Sequence, residues 1–262
     1  MDAITTGDNN AAFGHNALGA NTTGAQNVAL GRNTLKTNTT GDYNVAVGDA
    51  ALDVNSTGDN NVGIGSDALG FNTTGSDNVA VGYGALSKNT TGTRNLAIGA
   101  NAYDASDTEN DNLAIGYNAM TTNTAGGTGN LALGNYVLDV LTSGDYNVGI
   151  GLNALSANTT GNNNVGVGQA ALLTNSTASD NTAVGHYALL LNTTGDKNVA
   201  VGALALDANT TGSDSVAMGY GALGTNTTGG LNVAVGKNAL TTNNADANVA
   251  VGRFALDNNT TA

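Results

Sequence analysis

The sequence predicts an all-β fold, a parallel β-solenoid (β-roll) of about 15 coils of 17 residues each. The first observation behind this prediction is the pentapeptide Asn-Val-Ala-Val-Gly at Asn44–Gly48, which returns unchanged at Asn78–Gly82 and with small changes along the chain. The second is the near-constant spacing of the copies, and the third is an Asn-Thr-Thr-Gly segment with turn chemistry between them. Together they indicate short strands, joined by tight turns and stacked coil on coil.

The spacing of the copies distinguishes a solenoid from a globular fold. Twelve of the fourteen spacings are 17 residues, one is 18 and one is 16. The fifteen copies begin at residues 10, 27, 44, 61, 78, 95, 112, 130, 147, 164, 181, 198, 215, 232 and 248. So regular a period indicates one supersecondary unit stacked on itself. We therefore predict a single repeat domain over residues 1–262, with less regular coils at about 99–146.

We number each unit from the first residue of its pentapeptide. Positions two to four have the alternation of a strand, and position five is Gly in all fifteen copies. Glycine there permits a positive φ or a close approach of two backbones. Seventeen residues suffice for two short strands and two turns, so we expect coils about 4.8 Å apart.

Stacking of identical units predicts columns of identical side chains. We expect the aliphatic residues at positions two and four, together with the Leu at position nine, to fill a narrow interior. In the third unit these are Val45, Val47 and Leu52. The Asn residues at positions one and twelve are expected to stack at corners, where each amide can bond the amide one coil away.

The column at position three predicts an oligomer interface. Its residues point away from positions two and four, yet all are Ala or Gly, which indicates a second backbone packed against them. Three chains around one axis would bury this column, although a tightly wound monomer without a partner is the alternative. If a second chain packs against this column, Ala80→Lys should be far more disruptive than Thr73→Lys. The predicted interface residues are Ala46, Gly63, Ala80, Ala97, Ala114, Ala132, Gly149, Gly166, Ala183, Ala200, Ala217 and Ala234.

Three places depart from the regular repeat. The coil over residues 99–111 has lost its Asn-Thr-Thr-Gly segment, and the next coil gains one residue around 124–128. An added turn residue should bulge outward and leave the ladders intact. The 16-residue coil should have a tightened turn at 243–246.

Composition limits the class of partner. Twenty acidic against seven basic residues give a net charge of −13, which argues against nucleic acid, because phosphates require clustered Lys and Arg. The absence of Cys excludes a disulfide framework and a thiolate metal site. No apolar run is long enough to insert in a membrane, and Met1–Ile4 lacks the basic start of a signal peptide. Both ends stop in one phase of the repeat without a distinct cap, so the chain is expected to be either a piece of a longer fibre or a unit that stacks end to end into filaments.

The pentapeptide followed by Ala-Leu resembles the head repeats of trimeric autotransporter adhesins. The 17-residue Asn-Thr-Thr-Gly unit resembles even more closely the repeats of phage tail fibres and bacterial surface proteins. This resemblance implies a homotrimeric, left-handed β-roll with the pentapeptide strand near the three-fold axis. Such fibres often carry a C-terminal self-cleaving chaperone or a membrane anchor, and neither is recognisable in this sequence.

Catalysis and cofactor binding have little support in the sequence. The two histidines, His15 and His186, both occupy position six and are interpreted as surface residues of a turn. Candidate metal ligands are Asp104, Asp107, Glu109 and Asp111, because oxygen-rich loops suit Ca²⁺, with a solvated acidic turn as the alternative. We therefore expect no enzyme, no cofactor and no required metal.

The leading functional hypothesis is a structural fibre, extracellular, on a cell surface or in a virion, that provides reach and stiffness. The alternatives are ice binding or glycan binding through the Thr and Asn ladders. Adjacent threonines in a Gly-ended turn do not present both side chains on one flat face, which argues against ice binding. Three tyrosines at position six, Tyr83, Tyr117 and Tyr220, are possible glycan contacts but are scattered among coils. The threonines that share one position of the repeat and form the Thr ladder include Thr22, Thr39, Thr73, Thr90, Thr159 and Thr193.

Overall fold

A computed structural model describes residues 6–123 and 126–259. In these residues the chain is an all-β parallel β-solenoid with fifteen strands and no helix, which confirms the predicted fold class. Part of the predicted repeat lies outside the described residues, namely Ile4 and Thr5, the predicted bulge at Thr124 and Ala125, and residues 260–262. Handedness and the number of chains stay predictions.

The chain divides into two compact units, Met1–Gly129 and Asn130–Ala262, which we call unit 1 and unit 2. Each strand is three residues long and covers positions two to four of its coil. The strands of unit 1 are β1 (Ala11–Phe13), β2 (Val28–Leu30), β3 (Val45–Val47), β4 (Val62–Ile64), β5 (Val79–Val81), β6 (Leu96–Ile98) and β7 (Leu113–Ile115). The strands of unit 2 are β8 (Leu131–Leu133), β9 (Val148–Ile150), β10 (Val165–Val167), β11 (Thr182–Val184), β12 (Val199–Val201), β13 (Val216–Met218), β14 (Val233–Val235) and β15 (Val249–Val251).

Within each unit, every strand pairs in parallel with the strand of the next coil. The register places equal positions opposite one another, as in Ala46 opposite Gly63 in unit 1 and Ala183 opposite Ala200 in unit 2. The shortened coil keeps this register, because Ala234 lies opposite Ala250. Side chains at equal positions therefore form the predicted columns.

The remainder of each coil consists of turns, so the expected second strand is absent from the described residues. Positions seven, nine and seventeen adopt left-handed φ values although most of their residues are not glycine, as at Ala50 (55°), Leu52 (52°) and Asn60 (58°). Gly48, at position five, has a φ of 129°. A Cβ on Gly48 would lie 2.6 Å from the carbonyl oxygen of Gly65, so the stacking of the coils requires glycine there.

These left-handed corners cost roughly 1 kcal/mol each for an ordinary residue and need compensation from the surrounding structure. Position nine receives it from burial, since Leu52 is fully enclosed and burial of a leucine contributes about 2 kcal/mol. Its backbone N–H also donates to Ala68 O on the next coil at 3.0 Å. The leucine column thus holds each coil in a conformation that the isolated chain would avoid.

The interior is narrower than the sequence suggested. Leu52 is buried as predicted, together with Ala51 at position eight and Ala46 at position three. Val45 and Val47 were expected inside, but both are only half-buried and point outward. Alternation along a strand gives two faces, and the leucine column leaves space only for the small residue on the inward face.

The two predicted asparagine ladders are confirmed. At position twelve, Asn55 Nδ2 donates to Asn38 Oδ1 at 2.9 Å and to Gly58 O at 3.0 Å. At position one, the N–H of Asn44 donates to Asn27 Oδ1 at 2.9 Å, and Asn44 Nδ2 donates to Gly58 O at 2.8 Å. Both ladders thus converge on one carbonyl per coil and satisfy polar groups that water cannot reach.

The coil over residues 99–111 replaces its missing repeat residues with other polar groups. Ser106 stands at position twelve, and the Tyr103 hydroxyl occupies the nearby space, accepting from Asn112 Nδ2 at 2.6 Å and Asn123 Nδ2 at 3.1 Å. Burial raises the pKa of the Tyr103 phenol, so the group stays neutral. The buried Glu109 carboxylate accepts the backbone N–H groups of Asp107 and Thr108 at 2.8 and 3.1 Å.

The two coils of unusual length keep the shared carbonyl acceptor, but the asparagine ladder at position twelve is interrupted there, since Asn123 Oδ1 and Asn226 Oδ1 have no hydrogen-bond partner. In the longer coil, Asn112 Nδ2 and Asn123 Nδ2 donate to the shared acceptor Gly127 O at 2.9 and 2.7 Å. The prediction of intact ladders therefore holds for this acceptor, but it is wrong for Asn123 Oδ1. In the shorter coil, Asn244 Oδ1 accepts from the Thr227 N–H at 2.6 Å, the role that a backbone carbonyl has elsewhere. The predicted tightened turn is confirmed, and a side chain compensates for the missing residue.

Candidate functional site

An apolar surface formed by consecutive coils lies on the outer side of the strands of each unit. It is formed by positions two and four, and we call it the aliphatic face. In unit 1, Leu30, Ile64 and Ile98 are 46, 39 and 38% exposed. In unit 2, Leu133 and Met218 are 41 and 43% exposed. Apolar residues of consecutive coils in one line make a contiguous patch, and such patches on soluble chains usually mark interaction surfaces.

The composition of this face is uniform. In unit 1 its members are all apolar: Ala11, Phe13, Val28, Leu30, Val45, Val47, Val62, Ile64, Val79, Val81, Leu96, Ile98, Leu113 and Ile115. In unit 2, Thr182 is the one polar member of the face among the described residues. β-Branched and leucine side chains on a regular strand present a firm surface with little rotamer freedom to lose on packing.

Charged residues border the face at positions six and seventeen. Arg32 Nη2 lies 2.6 Å from Asp49 Oδ2, and Arg94 Nε lies 2.6 Å from Asp111 Oδ1. The hydrogen bond from each arginine lowers the pKa of the aspartate one coil further on. These pairs are solvent-exposed and contribute little to stability. An apolar centre with a polar, solvent-accessible rim is the usual anatomy of a protein interface.

The residues predicted from the sequence as an oligomer interface lie inside the coils. Ala46, Ala80, Ala97, Ala114, Ala132, Ala183, Ala200, Ala217 and Ala234 are fully buried within the single chain, and Gly63, Gly149 and Gly166 are buried too. A Cβ on Gly63 would lie 3.4 Å from Leu52 Cγ, across the interior. The prediction that this column contacts a second chain is therefore wrong. The column is small because leucines of the same chain pack against it.

The candidate metal ligands are engaged by separate partners. Asp111 pairs with Arg94, Asp107 accepts a hydrogen bond from the Thr90 hydroxyl, and Glu109 accepts backbone N–H groups, including that of Gly126 at 3.0 Å. Burial raises the pKa of Asp104. No group of three potential ligands capable of holding a metal ion occurs in residues 6–123 and 126–259.

The histidines and threonines occupy the turns where the sequence placed them. His15 and His186 are exposed at position six, and the His186 ring lies 3.7 Å, centroid to centroid, from that of Tyr187. At position thirteen the Thr73 hydroxyl donates to Thr90 O at 2.9 Å, whereas Thr74, at position fourteen, is exposed. Adjacent threonines thus do not share one flat face, which confirms the geometric objection to an ice-binding array.

Sequence reasoning missed one ladder. At position sixteen, Asp42 Oδ1 accepts from the Ala25 N–H at 2.7 Å, Asp59 Oδ1 from the Asp42 N–H at 2.7 Å, and Ser76 Oγ from the Asp59 N–H at 3.0 Å. The residue at this position varies, so it looked unconstrained. The shared property is a short side chain with an acceptor oxygen, which a search for identical residues does not detect.

Within the described residues, no helix is long and apolar enough to cross a membrane. Comparison with protein-family models and with curated proteins found no match for this chain. The aliphatic face is thus the surface on which a functional interpretation has to rest, because it is large, uniform and produced by the repeat itself.

Proposed function

We propose that this protein is a structural fibre component, a stiff shaft that associates laterally with further copies of itself through the aliphatic face. The observation that carries the proposal is the exposure of aliphatic residues at positions two and four on consecutive coils. Covering that face would remove apolar surface from water at about 25 cal/mol per Å². A second copy of the chain presents the same regular spacing of coils and therefore matches it in register.

Stiffness follows from the coil-to-coil bonds. Each coil is bound to the next by parallel strand pairing and by side-chain ladders at positions one, twelve and sixteen. Since these bonds repeat at nearly every coil, bending would break several at once. The proposal assigns the chain a mechanical role without catalysis, in a homotrimer with the aliphatic faces around a common axis, on a cell surface, in a virion or otherwise outside the cell. End-to-end stacking into filaments is part of it.

The test is the solution mass of the purified chain by light scattering. We expect the mass of three 25.7 kDa chains, or multiples of that mass where trimers stack end to end. Ile64→Lys combined with Ile98→Lys places two charges on the aliphatic face and should give monomers with an unchanged circular dichroism spectrum. The matched control, Thr74→Lys with Thr91→Lys, places the same charges on exposed turns and should keep the oligomer.

A wild-type chain that is monomeric at all concentrations would refute lateral association. Retention of the oligomer by the Ile64→Lys, Ile98→Lys variant would show that another surface mediates it. Negative-stain images of the same samples distinguish discrete particles from filaments, and filaments would support end-to-end stacking.

A further inference from the structure

A second surface of unit 1 is built unlike the rest of the solenoid. Two open hollows adjoin at Phe71, among the turns that follow the strands. One, of about 390 Å³, is lined mainly by Asp67, Phe71, Tyr83, Gly84, Ser87 and Asp104. The other, of about 520 Å³, is lined by Phe71, Lys88, Thr90, Ala105 and Asp107. We call the two hollows together the aromatic groove, and their size is typical of small-molecule sites.

The groove arises from differences in side-chain size along the columns. Phe71 is a large residue at position eleven, and Ala105, two coils further on, is small. Position seven is Gly84 between the larger residues Asp67 and Asn101, and a Cβ on Gly84 would lie 2.9 Å from Asn101 Oδ1. Because equal positions lie about 4.8 Å apart on neighbouring coils, such substitutions produce a depression one or two residues wide.

The walls of the groove combine aromatic rings with polar groups. Phe71 is 59% exposed and Tyr83 is 62% exposed, so both rings are largely open to a ligand. Asp104 lines the same hollow, and partial burial raises the pKa of its carboxyl. A carboxylate with part of its hydration removed gains from an added hydroxyl donor. The Ser87 hydroxyl donates to Asp104 O at 3.3 Å and so holds the floor in place.

We propose that the aromatic groove binds a neutral carbohydrate. A pyranose ring has an apolar face of C–H groups, which packs on an aromatic ring, and hydroxyl edges, which donate to carboxylates. Phe71 and Tyr83 supply the rings, and Asp67 and Asp104 supply the acceptors. A purely apolar ligand would displace water from these carboxylates without offering them a hydrogen-bond donor, at a cost in free energy.

The surrounding charge selects against anionic ligands. Asp67, Asp104 and Asp107 line the groove against one Lys88, in a chain with a net charge of −13. Sialylated, sulfated or uronic-acid glycans would therefore be repelled. A peptide added as a strand is also disfavoured, because the lining residues lie in turns whose N–H groups already bond the neighbouring coil, as Gly84 N–H does with Ser66 O at 3.0 Å.

The experiment is a titration of the full chain with neutral glucose and galactose tetrasaccharides, followed by NMR and calorimetry, beside sialyllactose as the anionic probe. We expect the neutral probes to bind and sialyllactose to bind at least about tenfold more weakly. Phe71→Ala and Tyr83→Ala should each weaken the neutral probe by about tenfold or more, the loss expected for an aromatic contact of about 1.4 kcal/mol.

The chain offers a matched control in Tyr220→Ala. Tyr220 is followed by Gly-Ala-Leu, as Tyr83 is, and is 51% exposed, but Ala208 stands at position eleven of its preceding coil where Phe71 stands in the groove. This variant should bind the probe as the wild type does. Failure of every neutral tetrasaccharide to bind, stronger binding of sialyllactose, or binding unaffected by Phe71→Ala would overturn the proposal. Since one chain forms the groove, the monomeric Ile64→Lys, Ile98→Lys variant should bind equally well, which separates this test from that of the fibre.

Discussion

The asparagine ladder at position twelve can be tested at Asn72 in unit 1. Asn72 Nδ2 donates to Asn55 Oδ1 at 2.7 Å and to Gly75 O at 2.9 Å, and Asn72 Oδ1 accepts from Asn89 Nδ2 at 2.8 Å. Asn72→Ala removes all three hydrogen bonds in a site closed to water. At about 1 kcal/mol each, the free energy of unfolding should fall by about 3 kcal/mol.

The partners that remain after this substitution show where the cost arises. Gly75 O keeps a bond from Asn61 Nδ2 at 2.8 Å, and Asn89 Nδ2 keeps its bond to Gly92 O at 3.1 Å. Asn55 Oδ1 loses the Asn72 amide and stays buried, so the largest share of the cost is expected from this one unsatisfied acceptor. Asn72→Leu should cost less than Asn72→Ala, because leucine fills the space, as Leu141 does at the same position of its own coil.

Urea unfolding followed by circular dichroism measures these differences. The control is Thr74→Ala, two residues away on the exposed side of the same turn, which should change the free energy of unfolding by less than about 0.5 kcal/mol. If Asn72→Ala is no more costly than Thr74→Ala, the ladder does not stabilise the coils and the reasoning fails.

Two further predictions concern packing and pH. Gly149→Ala in unit 2 should destabilise the fold by about 1–3 kcal/mol, because the new Cβ would overlap Val137 Cγ1. In a double-mutant cycle, adding Val137→Ala should restore much of the lost stability. Additive costs of the two substitutions would contradict this contact. Burial raises the pKa of Asp104, Asp139 and Asp207, so the folded state binds protons more tightly than the unfolded state. Stability should therefore rise as the pH falls from 7 toward about 4. Asp207→Asn should raise the melting temperature at pH 7 and weaken the dependence of stability on pH. A pH profile of stability that Asp207→Asn leaves unchanged would contradict this prediction.

Some features of this protein follow from the sequence alone. The period predicts stacked coils, because only a repeated unit bonded to itself requires the same residue at each seventeenth place. The Gly at position five and the Asn at positions one and twelve were assigned roles that the structure confirms. These positions can be recognised in the sequence because only one residue type meets the structural requirement at each of them. The tightened turn at Asn243–Asp246 could be predicted for the same reason, since a missing residue is visible by count.

Other features needed the tertiary structure. Alternation shows that Val45 and Ala46 lie on opposite faces, but which face is inward depends on the width of the coil, and the buried Leu52 leaves space only for alanine. The ladder at position sixteen is carried by a shared chemical property and not by a shared residue. The aromatic groove depends on the order of large and small residues on neighbouring coils. In each case the deciding quantity is the space between side chains that are one coil apart, which the folded backbone sets and the linear sequence does not state.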